Sequence, residues 1–293
     1  MRRIHATAIW TVRGMHMRID LLASGSKGNA CLVRDGTTCI LIDCGSTKKY
    51  LFSALAKVGA HPDEIDAVLI THDHADHVSQ IRHFADHTIY SPVEIPDIET
   101  LHVQAMKPFV IETLKITPIA LSHDAPHTTG YIFENGTEKL VYVTDTGYVS
   151  ERYFALMKGA DTVIMESNHD VGMLMRTRRP QYVKARIYSD EGHLCNEDCA
   201  AVLDAVTTEN TKTIFLAHLS QEGNTREKAL AVSSDLLLAH HHDLNRRLVV
   251  AAAGQFEILT RGDTDEEMDY GTVYRAVGME CGTDLCPDQK NNI

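Results

Sequence analysis

The stretch His72-Asp73-His74-Ala75-Asp76-His77 places three imidazoles and two carboxylates within six residues. Protonated imidazoles this close repel one another, and a divalent metal removes that cost by holding the neutral rings. A compact loop can aim His72 and His74 at one ion while turning Asp76 and His77 toward a second. Imidazole suits zinc and other first-row metals, and carboxylate supplies a harder ligand. The chemistry of such a site is hydrolysis, because water on a divalent ion ionises near neutral pH. A plain polar surface turn would leave the ligand density unexplained.

Three more candidates, His123, Asp145 and His218, each follow an apolar run, so strand ends can bring them to the same place. His127 shares a loop with His123 and is its rival. Histidine is abundant throughout: 17 residues, as many as the 10 Tyr and 7 Phe together.

Short β-rich runs at Arg18–Ala23, Cys31–Arg34 and Thr38–Asp43 are separated by turn segments, and a helix spans Thr47–Val58 before Gly59 and Pro62. Ala67–Thr71 is an apolar strand, and the histidine cluster begins at its C-terminal end. The second half repeats this grammar weakly. Strands are expected at Thr113–Leu121, Gly130–Glu134, Lys139–Thr144, Asp161–Glu166 and Thr213–Ala217, with helices at Ser150–Met157, Glu197–Thr207 and Thr225–Leu238. Leu248–Ala253 and Phe256–Leu259 read as a closing hairpin around Gly254-Gln255. Strands interspersed with helices in two related halves predict a layered α/β sandwich.

With 40 acidic and 28 basic side chains the chain carries a formal charge of −12, which argues against a sequence-independent nucleic-acid coat. It does not exclude a nuclease, since bound cations and one basic patch can still attract phosphate. Seven cysteines, an odd number in a chain too long to need stapling, fit reduced thiols and a cytoplasmic protein. No apolar run approaches the roughly 18 residues of a membrane span. Residues 1–16 read as a flexible basic extension, 17–261 as one hydrolase domain, and 262–293 as an acidic, poorly ordered tail.

The His-x-His-x-Asp-His pattern after an apolar strand resembles the metallo-β-lactamase superfamily. The resemblance extends over most of 17–260 through Leu22-Ala23-Ser24-Gly25-Ser26-Lys27-Gly28-Asn29-Ala30, Leu41-Ile42-Asp43-Cys44-Gly45, Leu121-Ser122-His123-Asp124-Ala125, Thr144-Asp145-Thr146-Gly147, Glu166-Ser167-Asn168-His169-Asp170, Gly192-His193-Leu194-Cys195-Asn196 and Ala217-His218-Leu219-Ser220. This ordered set is similar to the YycJ/WalJ branch. It implies a four-layer αββα metallo-β-lactamase sandwich in a single domain and a dinuclear site holding zinc or manganese, with iron as a further option. It also implies exonuclease action on DNA, from a 5′ end, linked to replication, repair or cell-wall regulation. In the superfamily scheme His72, His74 and His123 hold one metal, Asp76, His77 and His218 the other, and Asp145 bridges. The Leu-Ser-His-Asp-Ala match favours His123 over His127. Members with a redox di-iron centre have glutamate where this chain has His74, which favours hydrolysis. Only about seventy residues separate Asp145 from His218, too few for the inserted domain of the large β-CASP nucleases.

Asp76 and Asp145 would then also orient the attacking water. His169 is a candidate to donate a proton to the leaving alkoxide or to contact phosphate, an orienting role being the alternative. For substrate binding the candidates are Asn168, Arg178, Arg179, Lys184, Arg186 and His193. No acid lies between Asp170 and Asp190, whereas Arg176, Arg178, Arg179, Lys184 and Arg186 are all basic. Such a patch attracts a polyanion, although a solvated loop has the same composition. Tyr182 and Tyr188 could stack on bases or be half-buried. His193 is placed beside substrate or His169, with no metal assigned to it.

The turn Ser24–Asn29 lacks a P-loop pattern and reads as a hairpin turn at the site rim. His83, His87 and His102 read as surface or helix residues. His240-His241-His242 follows a helix end, and Cys195 and Cys199 read as buried small side chains. Two other functions remain open: hydrolysis of a small thioester, lactone or cyclic phosphodiester, and a non-catalytic metal-binding partner protein.

Overall fold

The computed structural model describes residues 16–241, 248–262 and 273–275. The first sheet takes β1 (Arg18–Ala23), β2 (Ala30–Asp35), β3 (Thr38–Ile42), β4 (Ala67–Leu69), β5 (Thr88–Ser91) and β6 (Leu101–His102). The second takes β7 (Phe109–Ile111), β8 (Leu114–Ala120), β9 (Thr129–Glu134), β10 (Lys139–Val143), β11 (Thr162–Glu166), β12 (Thr213–Ala217) and β13 (Val249–Ala252). In both, antiparallel hairpins give way to parallel strands: β3 to β6 in the first sheet, β10 to β13 in the second. The weak repeat of grammar in the sequence is therefore a repeat of topology.

Strand alternation builds the layers. Ile40 and Ile42 of β3 face Tyr131, Tyr142, Ile164 and Phe215 across the gap between the sheets. Cys39 and Leu41, one residue out of phase, face Leu51 and Leu55 of α1 (Lys48–Lys57). On the far side, Ile214 and Leu216 of β12 meet α6 (Asn196–Val206) and α7 (Arg226–His240) through Leu203 and Leu230. Every residue of β12 is buried because both faces of this parallel part of the sheet are covered. The result is the expected four-layer αββα sandwich. Helix starts follow local chemistry: Thr47 caps α1 by accepting from Tyr50 N–H, and Thr225 caps α7 by accepting from Lys228 N–H. Shorter helices are α2 (Ala75–Val78), α3 (Phe154–Met157), α4 (Val171–Arg176) and α5 (Gln181–Ile187).

Two expectations are corrected. Residues 248–253 and 256–259 form no hairpin. β13 lies parallel to β12 in the second sheet, while β14 (Leu259–Arg261) crosses over and pairs antiparallel with β1 in the first. Gln255 in the crossover seals the turn before β2: its carbonyl accepts from Ser24 N–H, and its side chain bonds Lys27 N–H and Gly28 O. The acidic tail also contributes structure, since β15 (Val273–Arg275) pairs antiparallel with β13. Residues 1–15, His242, Cys281 and Cys286, and the rest of the tail, lie outside the described residues. Among the described residues, Met17 is buried against β1 and no helix is long and apolar enough to cross a membrane.

Candidate metal centre

The chemistry-bearing residues gather where strand ends of both sheets meet. Asp43 follows β3, the loop Thr71–His77 follows β4, His123 follows β8, Asp145 follows β10, Glu166 closes β11 and His218 follows β12. Tyr131 hydroxyl donates to Ile70 O and Thr129 N–H to Thr71 O, tying the second sheet to the histidine loop. Asp43, Asp145 and His218 all have φ near +55° (56°, 56° and 54°), the left-handed region that non-glycine residues seldom enter. Each costs on the order of 1 kcal/mol or more, a strain that turns the side chain from the strand direction into the cluster.

Five imidazoles are held in the same way, through Nδ1. The Nδ1 of His77 lies 2.8 Å from Asp43 Oδ2, that of His72 3.0 Å from the Thr71 hydroxyl, and that of His123 3.0 Å from Gly192 O. The Nδ1 atoms of His193 and His218 converge on Glu166 Oε1 at 2.7 and 2.8 Å. These partners accept the Nδ1 hydrogens, so in each ring Nε2 is the nitrogen left to bind an ion once the ring is neutral.

Two groups follow. His72, His74 and His123 bring ligand atoms within 4.8 Å of one another, and so do His72, His77 and Asp145. Asp145 sits between them: Oδ2 is 3.2 Å from His77 Nε2, and Oδ1 is 3.4 Å from His218 Nε2 and 4.0 Å from His123 Nε2. Asp76 Oδ2 is 3.7 Å from His77 Nε2. A third group, Asp145, Glu166, His193 and His218, is equally compact. There the shared Glu166 oxygen is already taken by two Nδ1–H donors, so Glu166 is better suited to orienting imidazoles than to binding an ion.

Burial, with neighbouring imidazoles, holds His72 below its ordinary pKa, and burial lowers His123 despite Asp145. Burial would raise Asp145, but His218 and His77 outweigh it and keep the carboxyl well below the usual range. Glu166 is likewise held at about 2 against its burial by His193 and His218, and His218 is raised against its burial to about 9 by Asp145 and Glu166. The centre thus sets neutral His72 and His123 on one side and the ionised carboxylates of Asp145 and Glu166 against His218 on the other. His72 Nε2, His218 Nε2 and Asp145 Oδ2 are buried without a hydrogen-bond partner. Unpartnered buried polar atoms are costly, and divalent cations in the two groups would satisfy all three once His218 gives up its proton. The donor set fits divalent metal.

The family profile described as Beta-lactamase superfamily domain matches residues 38–218, from the first residue of β3 to His218. The chain belongs to the β-lactamase superfamily. Among superfamily relatives, it is 35% identical over 239 residues to the exodeoxyribonuclease YycJ of Bacillus anthracis, covering 76% of this chain and 90% of that one. It is 34% identical over 228 residues to the exodeoxyribonuclease WalJ of Streptococcus pneumoniae, covering 72% and 85%. The metallo-β-lactamase fold protein YhfI of Bacillus subtilis superposes with a TM-score of 0.59 at 17% identity, over 84% of this chain and 99% of that one. This superfamily member is a metal-dependent hydrolase.

The fold treats the other expected site residues unequally. His127 is exposed, whereas the His123 side chain is buried in the cluster. His169 is buried with neither ring nitrogen hydrogen-bonded, lowered by burial and set edge-on to Tyr188, while His193 takes the place beside Asp145 and Glu166. Asn168 was expected at the substrate, but it is buried and donates to His218 O. Lys184 is buried too, its ammonium donating to Met175 O and joining α5 to α4. Arg178 is exposed, Arg179 pairs with Glu222 at 3.1 Å, and Arg186 pairs with Asp124. Asp124 Oδ1 in turn lies 3.2 Å from His123 Nε2 and 3.8 Å from His74 Nε2, so Arg186 stands at the edge of the cluster. Sequence reasoning gave no role to Asp43, Thr71, Asp124 or Glu166. Asp43 and Glu166 carried one signal, an acid closing an apolar run.

Proposed function

We propose that this hydrolase is a dinuclear DNA exonuclease that releases nucleotides from a 5′ end. The observation that carries the reading is Asp145 standing between two imidazole groups beside an arginine-bearing helix. His72, His74 and His123 would hold one ion, Asp76, His77 and His218 the other, with Asp145 shared. Zinc and manganese both suit this mixed donor set, with iron a third option. Two divalent ions, when bound, supply a hydroxide at neutral pH and polarise the phosphoryl oxygen.

The remaining work falls to the chain's own side chains. Arg178, Arg179 and Arg186 attract and orient the phosphodiester; Arg186 must exchange Asp124 for phosphate to do so. Glu166 anchors His193 through Nδ1 and leaves Nε2 as the end that can take up a second proton, so His193, once protonated there, is better placed than His169 to pass that proton to the leaving alkoxide. The relatives named exodeoxyribonucleases support DNA as the polymer.

The test is metal-reconstituted protein on end-labelled single- and double-stranded DNA and RNA, with Asp76→Ala as the control. Mononucleotides released first from the 5′-labelled end, and lost in the variant, are expected. Cleavage of small esters with every nucleic acid left intact would overturn the reading.

A further inference from the structure

Asn29 is buried in the turn after β1 and touches both halves of the second metal position. Its Nδ2 lies 2.8 Å from His77 Nε2, 3.2 Å from Asp76 Oδ2 and 3.2 Å from Gly25 O. Its Oδ1 accepts from Gly25 N–H at 2.8 Å. That bond fixes which end of the amide is which: turned over, it would set NH2 against N–H and oxygen against a carboxylate. The backbone is held as firmly. Asn29 N–H donates to Asp76 O at 2.8 Å, and Gly45 N–H donates to Asn29 O at 2.9 Å. Gly45 permits this closeness, since a Cβ there would stand 1.7 Å from Asp76 O.

The hydrogen count does not close as it stands. An amide nitrogen carries two hydrogens, and three acceptors surround this one. We propose that Asn29 is the positioning residue of the second metal position: when an ion takes the His77 Nε2 lone pair, the two amide hydrogens settle on Gly25 O and Asp76 Oδ2. Asp76 is then held by one oxygen with Oδ1 left to bind. The inference rests on the two-ion reading above. Asn29 makes no hydrogen bond to His72, His74 or His123, so its influence falls on one ion only.

Metal-stripped wild type and Asn29→Ala are titrated calorimetrically with Zn²⁺, bound zinc is counted by elemental analysis, and circular dichroism checks the fold. Wild type is expected to bind two ions, and the variant to hold the first unchanged while the second weakens by about 10–100-fold. A readout on wild type alone covers the case in which the variant does not fold: the Asn29 side-chain NH2 resonances should stay protected from solvent exchange in the zinc-loaded protein. Two ions bound equally well by the variant would overturn the role of Asn29 and leave the two-ion reading standing. Equal weakening of both ions in a folded variant, or solvent-exposed amide hydrogens in loaded wild type, would also overturn it. A wild type that takes one ion would overturn both.

Discussion

The Nδ1 of His77 lies 2.8 Å from Oδ2 of Asp43, so a carboxylate at the end of β3 sets the tautomer of an imidazole on the loop after β4. The same carboxylate accepts from the Thr71 backbone N–H at 2.9 Å and from its hydroxyl at 2.9 Å. Asp43→Asn keeps the shape but removes the charge and one acceptor. Its zinc affinity is expected to fall by about 10–100-fold with the circular dichroism spectrum unchanged. Calorimetry decides, and an affinity equal to wild type would reject the role.

Glu166 uses one oxygen for His193 and His218 and the other for Thr146 N–H, at 2.7 Å. A glutamine here must aim NH2 at one of those donors, whichever way it turns, which costs about 1–3 kcal/mol. At saturating metal, Glu166→Gln should lower kcat for DNA by about 10²–10⁴ with little change in KM. A rise in KM alone would place Glu166 in binding instead.

The arginines and the buried lysine should separate cleanly. Replacing Arg178, Arg179 and Arg186 together by Gln should raise KM for DNA and lower the slope of log affinity against log salt by about 2, from three lost phosphate contacts on a single strand. Hydrolysis of a neutral ester should be untouched, and equal loss for both substrates would sink the patch. Lys184→Met should instead lower Tm and leave KM unchanged, because its ammonium holds Met175 O rather than solvent.

Acid stability should report on Glu138, which joins Met17 N–H, the His16 ring and Arg261 of β14. Burial would raise its carboxyl, but the Arg261 hydrogen bonds and charge, with Met17, hold it at about 2. A carboxyl depressed by folding stabilises fully above its unfolded pKa, near 4.5, and loses that share as the pH falls toward 2. The share is about 3 kcal/mol. Urea unfolding at pH 5.5 and 3.5 should show a steeper acid loss for wild type than for Glu138→Gln; parallel losses would contradict the assignment.

The parts of the site that could be read in advance are the dense ones. Six consecutive residues, five of them His or Asp, stand out whatever surrounds them, and His123, Asp145 and His218 stand out because each follows an apolar run. Asp43 and Glu166 end apolar runs as well, yet their partners lie 34 and 27 residues away along the chain, so their roles were hidden. Asn168 and Lys184, expected at the substrate, are buried instead, and this is hidden for the converse reason: a polar residue near a motif shows its type in sequence but not the direction its side chain takes. The path of β14 was concealed by Gly254-Gln255, whose turn chemistry suits a hairpin and a crossover alike.

By itself the sequence determined the short β-rich runs, the helices starting at Thr47 and Thr225, and the residue types able to bind a divalent metal. Those are local properties, set by periodicity and side-chain chemistry within a few residues. Only the tertiary structure decided that His193 rather than His169 stands at the cluster, that Glu166 serves two imidazoles, and that Asn29 reaches His77. Those relationships depend on two sheets closing face to face, and side chains far apart in sequence share hydrogen bonds only once that packing brings the strand ends together.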